Sequence, residues 1–151
     1  MTTLLAALPA LAGLAALLVR RDRPRRALLV GTAAGHATLT AACWARPLDP
    51  EPGAWLGLDA PGLLFLSLVS ALFLAAAVYA VHYLAAEDAG ARVDFEEGGV
   101  FSNAPEARFT GCLLLFLSTM SAACLSRNFG LFWVATEATT LASAPLIFFH
   151  R

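Results

Sequence analysis

The distribution of charge along this 151-residue chain leaves few folds open. The charged side chains are ten arginines, with no lysine, and eleven acids. Twenty of these 21 fall outside five apolar runs; one, Glu137, falls inside the last run. The runs cover residues 2–19, 27–45, 60–86, 109–126 and 129–150. A membrane-spanning helix needs about 20 predominantly apolar residues. The pattern predicts an all-α integral membrane bundle of five spans, forming a single membrane domain over residues 1–151. Composition agrees: 59% of residues are hydrophobic and 14% charged, with mean hydropathy +0.70, where soluble domains carry roughly 25% charge. Disorder is excluded, and a net charge of −1 provides no basic field for nucleic acid. The three cysteines each sit in an apolar run without CxxC spacing, which reads as buried small hydrophobes, with neither a metal site nor a disulfide framework.

The first run follows a neutral start and precedes its arginines, the reverse of a signal peptide, so a retained helix is expected, with Pro9 as a possible kink. Residues 20–26 form a basic turn. The second run contains Gly31-Thr-Ala-Ala-Gly35, whose spacing predicts close approach of a neighbouring backbone. Residues 46–59, with three prolines, read as an interfacial loop flanked by Trp44 and Trp55. Asp59-Ala-Pro61 reads as an N-cap with proline in the first turn. Residues 87–108 form a polar loop too short to fold alone, ending in Asn103-Ala-Pro-Glu106, which has capping-box spacing. Arg127-Asn128 is a tight turn, and Pro145 frees a backbone carbonyl in the fifth run.

Arginine counts near helix ends set the orientation. With the 20–26 turn inside, eight arginines lie inside against Arg46 and Arg127 outside. An external N-terminus, a cytoplasmic 87–108 loop and a cytoplasmic C-terminus follow.

Glu137 is the sharpest chemical signal, standing near mid-depth in its run. A charge there costs on the order of 2.5–3.5 kcal/mol on insertion scales, and such groups usually mark ion or proton paths; the alternative is a carboxyl kept protonated by desolvation. Trp133, Glu137, Thr140 and Ala144 form one helical stripe, flanked by Thr136, Thr139 and Ser143. These hydroxyls serve either a solvated path or helix packing. His36 in the second run and His82 near the end of the third, beside Tyr79 and Tyr83, are relay candidates, or histidines that simply hydrogen-bond a neighbouring helix. His150 reads as interfacial. The candidate proton-translocation residues are therefore Glu137, His82, His36 and Thr140. No phosphate loop, G-x-S-x-G, H-E-x-x-H or nucleophile triad is present, so catalysis by this chain alone is not expected.

Two stretches carry a family resemblance. Asn128-Phe-Gly-Leu-Phe-Trp-Val-Ala-Thr-Glu137-Ala-Thr-Thr-Leu-Ala-Ser-Ala-Pro-Leu-Ile147-Phe-Phe-His-Arg151 resembles the fifth helix of the hydrogenase-4 component F proteins. These are antiporter-like membrane subunits similar to the proton-pumping subunits of respiratory complex I and to Mrp-type cation/proton antiporters. Leu58-Asp59-Ala-Pro-Gly-Leu through Val78-Tyr79-Ala-Val-His-Tyr83-Leu is similar to the family's third helix. The first two runs match by position only. The resemblance implies that Glu137 belongs to a proton-translocating charge relay whose usual partner is a lysine on a later, broken helix. Family members have about fourteen helices with two inverted repeats. This sequence carries the first five and lacks that lysine, which implies a split or shortened subunit, or a piece of a longer one.

The resemblance thus implies a membrane subunit of a hydrogenase- or complex I-like oxidoreductase, coupling proton or sodium translocation to electron transfer. It implies no cofactor in this chain, with iron–sulfur clusters and nickel–iron or flavin centres in partner subunits. The expected partners are other membrane subunits, one supplying the lysine-bearing helix, and the lipid bilayer. The alternatives are a structural or assembly subunit without an ion-conducting role, or a fragment of a longer antiporter-like subunit. Arginine-only, alanine-rich usage fits a GC-rich bacterial genome, and the bacterial inner membrane is the expected location.

Overall fold

The computed structural model describes residues 1–45, 54–87 and 104–147. These form five helices: α1 (Thr2–Leu18), α2 (Asp22–Cys43), α3 (Ala60–Glu87), α4 (Ala104–Leu125) and α5 (Phe129–Ile147). The expected all-helical architecture is observed. Arg46, Arg92, Asn103, His150 and Arg151, and the greater part of both long loops, lie outside the described residues.

Each apolar run became a helix, but two helices begin about a turn before their run. α2 opens at Asp22 instead of residue 27, and α4 opens at 104 instead of 109. The charged residues assigned to turns are helical because they pair with each other. Arg26 donates through Nε and Nη2 to the two carboxylate oxygens of Glu106, both at 2.9 Å, and Nη2 also reaches the Leu84 carbonyl at 3.1 Å. Such a two-point bond between planar groups fixes geometry as well as charge. Arg25, fully buried, donates to Asp22 Oδ1 at 3.0 Å and to the Val19 carbonyl at 2.8 Å. This arginine end ties the starts of α2 and α4 to the end of α3. Glu106 faces Arg26; the capping box expected with Asn103 lies outside the described residues. Pro24 fits the first turn of α2, where its missing N–H leaves no helical bond unmade.

The opposite end is closed by backbone pairing. Gly57 N–H donates to the Leu125 carbonyl at 2.8 Å, and Arg127 N–H to the Trp55 carbonyl at 3.1 Å. Asp59 caps α3 as expected, its Oδ1 accepting the Gly62 N–H at 2.7 Å. Asn128 caps α5 in the same way, accepting the Gly130 N–H at 2.8 Å.

α4 packs against all four other helices, whereas α5 packs against α4 alone, among the described residues. The close helix–helix approach does not use Gly31 and Gly35, which have open space beside them. It uses Gly13 of α1 and Gly111 of α4: a methyl group on Gly13 would stand 3.0 Å from the Gly111 carbonyl oxygen. Ser118 donates to the Ala6 carbonyl at 2.7 Å on the same interface. Local spacing marks Gly31 and Gly35, but contact depends on which face meets a neighbour, and theirs meets none among the described residues.

Two apolar clusters fill the interior. One, toward the arginine end, includes Leu29, Ala33, Phe73, Ala77, Leu114 and Leu117. The other, toward the tryptophan end, includes Leu5, Cys43, Leu63, Leu66 and Leu125. His36, Ser70 and Ser121 lie between them in chain position on α2, α3 and α4. The outward surface is strongly apolar: Leu11, Leu18, Leu72, Tyr79 and Phe129 are all exposed, while Arg25, His36, Thr40, Ser70, Thr110 and Ser121 are buried. Two helices are long and apolar enough to cross a membrane, Ala60–Ala85 at mean hydropathy 2.4 and Glu106–Leu125 at 1.5. α1 is apolar but has 17 residues. The four arginine and aspartate side chains that open α2, and Glu137 with its hydroxyl neighbours in α5, lower the hydropathy of those two helices.

A methyl group on Gly62 would meet the Cys124 carbonyl oxygen at 2.7 Å and Asp59 Oδ1 at 2.6 Å. Gly62→Ala is expected to destabilise the bundle by roughly 1–3 kcal/mol, whereas Gly31→Ala is expected to be neutral or stabilising by up to about 1 kcal/mol. Thermal unfolding of the two variants in detergent checks the contrast.

Candidate functional site

α5 rests on α4 through a stripe of small and apolar residues. Ala135 is its one buried residue, and Leu131, Ala138 and Ala142 are half-buried on the same side. With a 3.6-residue repeat, that face carries Trp133, Glu137, Thr140 and Ala144 to the opposite side. All four are exposed, as is Thr136. The stripe read from the sequence is therefore real, and it points away from the bundle.

On that outer face Trp133 Nε1–H donates to Glu137 Oε1 at 3.1 Å. This i,i+4 bond satisfies one carboxylate lone pair and lays the indole alongside the acid. The neighbouring hydroxyls behave differently. Thr136 donates to the Phe132 carbonyl, Thr139 to Ala135 at 2.8 Å, Thr140 to Thr136 at 3.3 Å and Ser143 to Thr140 at 2.8 Å. Each hydroxyl proton is committed to the backbone of its own helix, as serine and threonine side chains in helices commonly are. Their oxygens keep lone pairs on the face that carries Glu137. Thr140 is thus beside the acid without bonding to it.

The other two candidates stand elsewhere. His82 is exposed on α3 and its Nδ1–H donates to the Val78 carbonyl at 2.8 Å, which leaves Nε2 outward. Tyr79 and Tyr83 stack nearby, with ring centroids 6.4 Å apart. His36 is fully buried. Its Nδ1 lies 2.9 Å from Ser70 Oγ and its Nε2 lies 2.9 Å from Ser121 Oγ. Thr40 Oγ1 sits 3.0 Å from Ser70 Oγ. The structure does not join Glu137, His36 and His82 into one relay among the described residues: they occupy an outer face of α5, the interior of α2–α3–α4 and an outer face of α3.

Sequence reasoning passed over Ser70, Thr40 and Ser121. A signal was available in part, since Thr32, His36 and Thr40 repeat at four-residue spacing and so share one face of α2. Nothing local in the sequence pairs His36 with Ser70 or Ser121, which are 34 and 85 positions away. The Arg26–Glu106 pair was also passed over, because both residues had been assigned to loops. Among the described residues, no three His, Cys, Asp or Glu side chains converge in a way that could hold a metal ion.

Comparison with protein-family models, with curated proteins and with solved structures finds no match.

The indole–carboxylate bond makes Trp133 a reporter of Glu137. In a background where Trp44 and Trp55 are replaced by Phe, Glu137→Leu removes the acceptor of the Trp133 Nε1–H and is expected to shift the Trp133 fluorescence emission. An emission spectrum unchanged by Glu137→Leu would contradict the bond.

Proposed function

We propose that this chain is a five-span membrane subunit of a hydrogenase- or complex I-like oxidoreductase, presenting Glu137 to a partner subunit for proton or sodium transfer. The carrying observation is the position of Glu137 on the uncovered outer side of α5, held by Trp133 and lined by Thr136 and Thr140. A carboxylate facing hydrocarbon costs on the order of 2.5–3.5 kcal/mol on insertion scales. Against a partner helix it gains a polar neighbour instead. α5 packs on α4 alone among the described residues, which leaves that side open for a second protein.

The membrane setting is supported by the strongly apolar outer surface around an interior that, beside its two apolar clusters, also holds polar side chains. Large apolar side chains face outward, and histidine, serine, threonine and arginine are inside. In hydrocarbon every polar group needs a protein partner; the buried hydroxyls of Thr40, Ser70 and Ser121 find one, and that of Thr110 does not. Arg20, Arg21, Arg23, Arg25, Arg26 and Arg108 gather at one end of the bundle, which under the positive-inside tendency is the cytoplasmic end. In this reading the five helices alternate in direction, with the N-terminus outside and α5 running inward. The bacterial inner membrane is the proposed location. A lysine-bearing helix of a neighbouring subunit is the proposed partner, because a cation opposite Glu137 neutralises it and lets a proton pass between two titratable groups. Redox centres belong, in this reading, to other subunits.

A second reading is favoured by the same open side of α5: the face docks a neighbour for assembly, and Glu137 forms a fixed ion pair with it. One variant separates the two. In the complex purified through this chain, Glu137→Gln is expected to leave assembly on native gels intact. In inverted membrane vesicles it should lower the initial rate of lumen acidification by about ten-fold or more, the scale of a lost acid–base group. Full pumping by an intact complex would refute the transfer role. Loss of the complex itself would favour the docking role.

A further inference from the structure

We propose that the turn between α1 and α2, together with the start of α4, binds the headgroup of an anionic phospholipid, one of whose acyl chains lies along the outer leucines of α1. The inference rests on the membrane setting of the proposed function, and not on any role of Glu137, which lies on α5.

Four arginines at this end carry charge that no neighbour cancels. Arg20, Arg21, Arg23 and Arg108 are all exposed, and none of them is paired with an acid among the described residues. Asp22 and Glu106 stand at the same end but are engaged: Asp22 holds Arg25, and Glu106 holds Arg26 through both its oxygens. The buried arginines thus use up the acids, and the exposed ones keep their full charge.

The packing of α1 on α4 brings Arg108 level with the turn. The two helices run in opposite directions, since Ser118 meets Ala6 whereas Gly111 meets Gly13 and Leu17. A methyl group on Gly111 would stand 2.6 Å from Leu17 Cδ2. Arg108 precedes Gly111 by one turn, about 4.5 Å further toward the arginine end. Arg20 follows Leu17 in that same direction, just beyond the last turn of α1. One arginine from α4 therefore joins the three that α1 and α2 supply.

The α1 surface that leads to this cluster is apolar. Leu11, Leu14 and Leu18 are exposed, Leu18 by 82%, and their three- and four-residue spacing puts them on one face. From Leu11 to Leu18 that face runs about 10 Å along the helix axis, and Arg20 and Arg21 follow directly after Val19. A ligand that fits both parts has a negative head and an aliphatic tail. Free phosphate or an acidic soluble protein would meet the arginines and leave the leucines bare. A zwitterionic lipid brings a cation of its own into a cluster that is already cationic. Guanidinium groups bind phosphate oxygens in pairs, and each basic side chain near a membrane surface is worth about a five-fold preference for an anionic lipid.

The test uses the full chain in phosphatidylcholine vesicles containing phosphatidylglycerol, with Trp44, Trp55 and Trp133 replaced by Phe. A single reporter is introduced as Leu18→Trp beside the cluster, or as Tyr79→Trp, an exposed position of α3 toward the same end. One lipid or the other carries dibrominated acyl chains, which quench tryptophan on contact, so quenching against lipid fraction gives the relative affinity of the two lipids at that position. At 18, phosphatidylglycerol should be favoured by about five-fold or more. Replacing Arg20, Arg21, Arg23 and Arg108 together by Gln should remove that preference. At 79 neither lipid should be favoured, with or without the arginines. Quenching by neither lipid at both positions would refute the membrane setting itself. Equal quenching by the two lipids at 18, or a preference that survives loss of the four arginines, would overturn this proposal alone. A preference at 18 that emerges only when Asp88, Asp94, Glu96 and Glu97 are replaced by Asn and Gln would overturn it too, and would make this chain's own acids the occupant.

Discussion

A polar group taken out of water needs a partner, and most of the buried ones in this bundle find one inside it. Serine and threonine protons turn back onto carbonyls of their own helices, from Ser70 and Ser121 in the interior to Thr139 on α5. His36, buried in the interior, is bracketed by two hydroxyls. The buried guanidinium of Arg25 is held at the bundle's end by Asp22 and the Val19 carbonyl, near the mutual clasp of Arg26 and Glu106. Glu137 is the acid in an apolar run, and its bond to Trp133 leaves carboxylate lone pairs facing outward. The proposed partner subunit is the answer to that remaining demand.

The five helices divide the work. α4 touches every other helix, and its Gly111 lets α1 approach until backbone meets backbone. Together α1 to α4 enclose two apolar clusters, with the His36 layer between them. α5 is attached by one side only, through Ala135 and its half-buried neighbours. A helix held in this way contributes little to the core and presents most of its surface to whatever lies beside it. That geometry suits a subunit boundary.

Much of the fold was legible because charge and apolarity alternate in long blocks. Five runs gave five helices, Asp59 gave the cap of α3, and the spacing of Trp133, Glu137 and Thr140 gave one face of α5. The misreadings share a cause. An apolar run marks the apolar part of a helix, not where the helix ends, so the charged first turns of α2 and α4 read as loops. Their helicity depends on Arg26 finding Glu106, 80 residues away. Gly31 and Gly35 had the right spacing but the wrong face, whereas Gly13 and Gly111 are a close pair visible only once α1 and α4 are side by side. His36 was legible as a candidate, but its two serines were not, because three helices must assemble before they meet.

The central claim is that position 137 faces protein within the bilayer. It is tested most directly by a spin label on a single cysteine at 137, with Cys43, Cys112 and Cys124 replaced, in the native complex in membranes. The account predicts an immobilised label shielded from both oxygen and a water-soluble nickel chelate, while a label at Leu72 is freely accessible to oxygen. A label at 137 as mobile and as oxygen-accessible as the one at Leu72 would mean that Glu137 faces lipid, and would contradict the account.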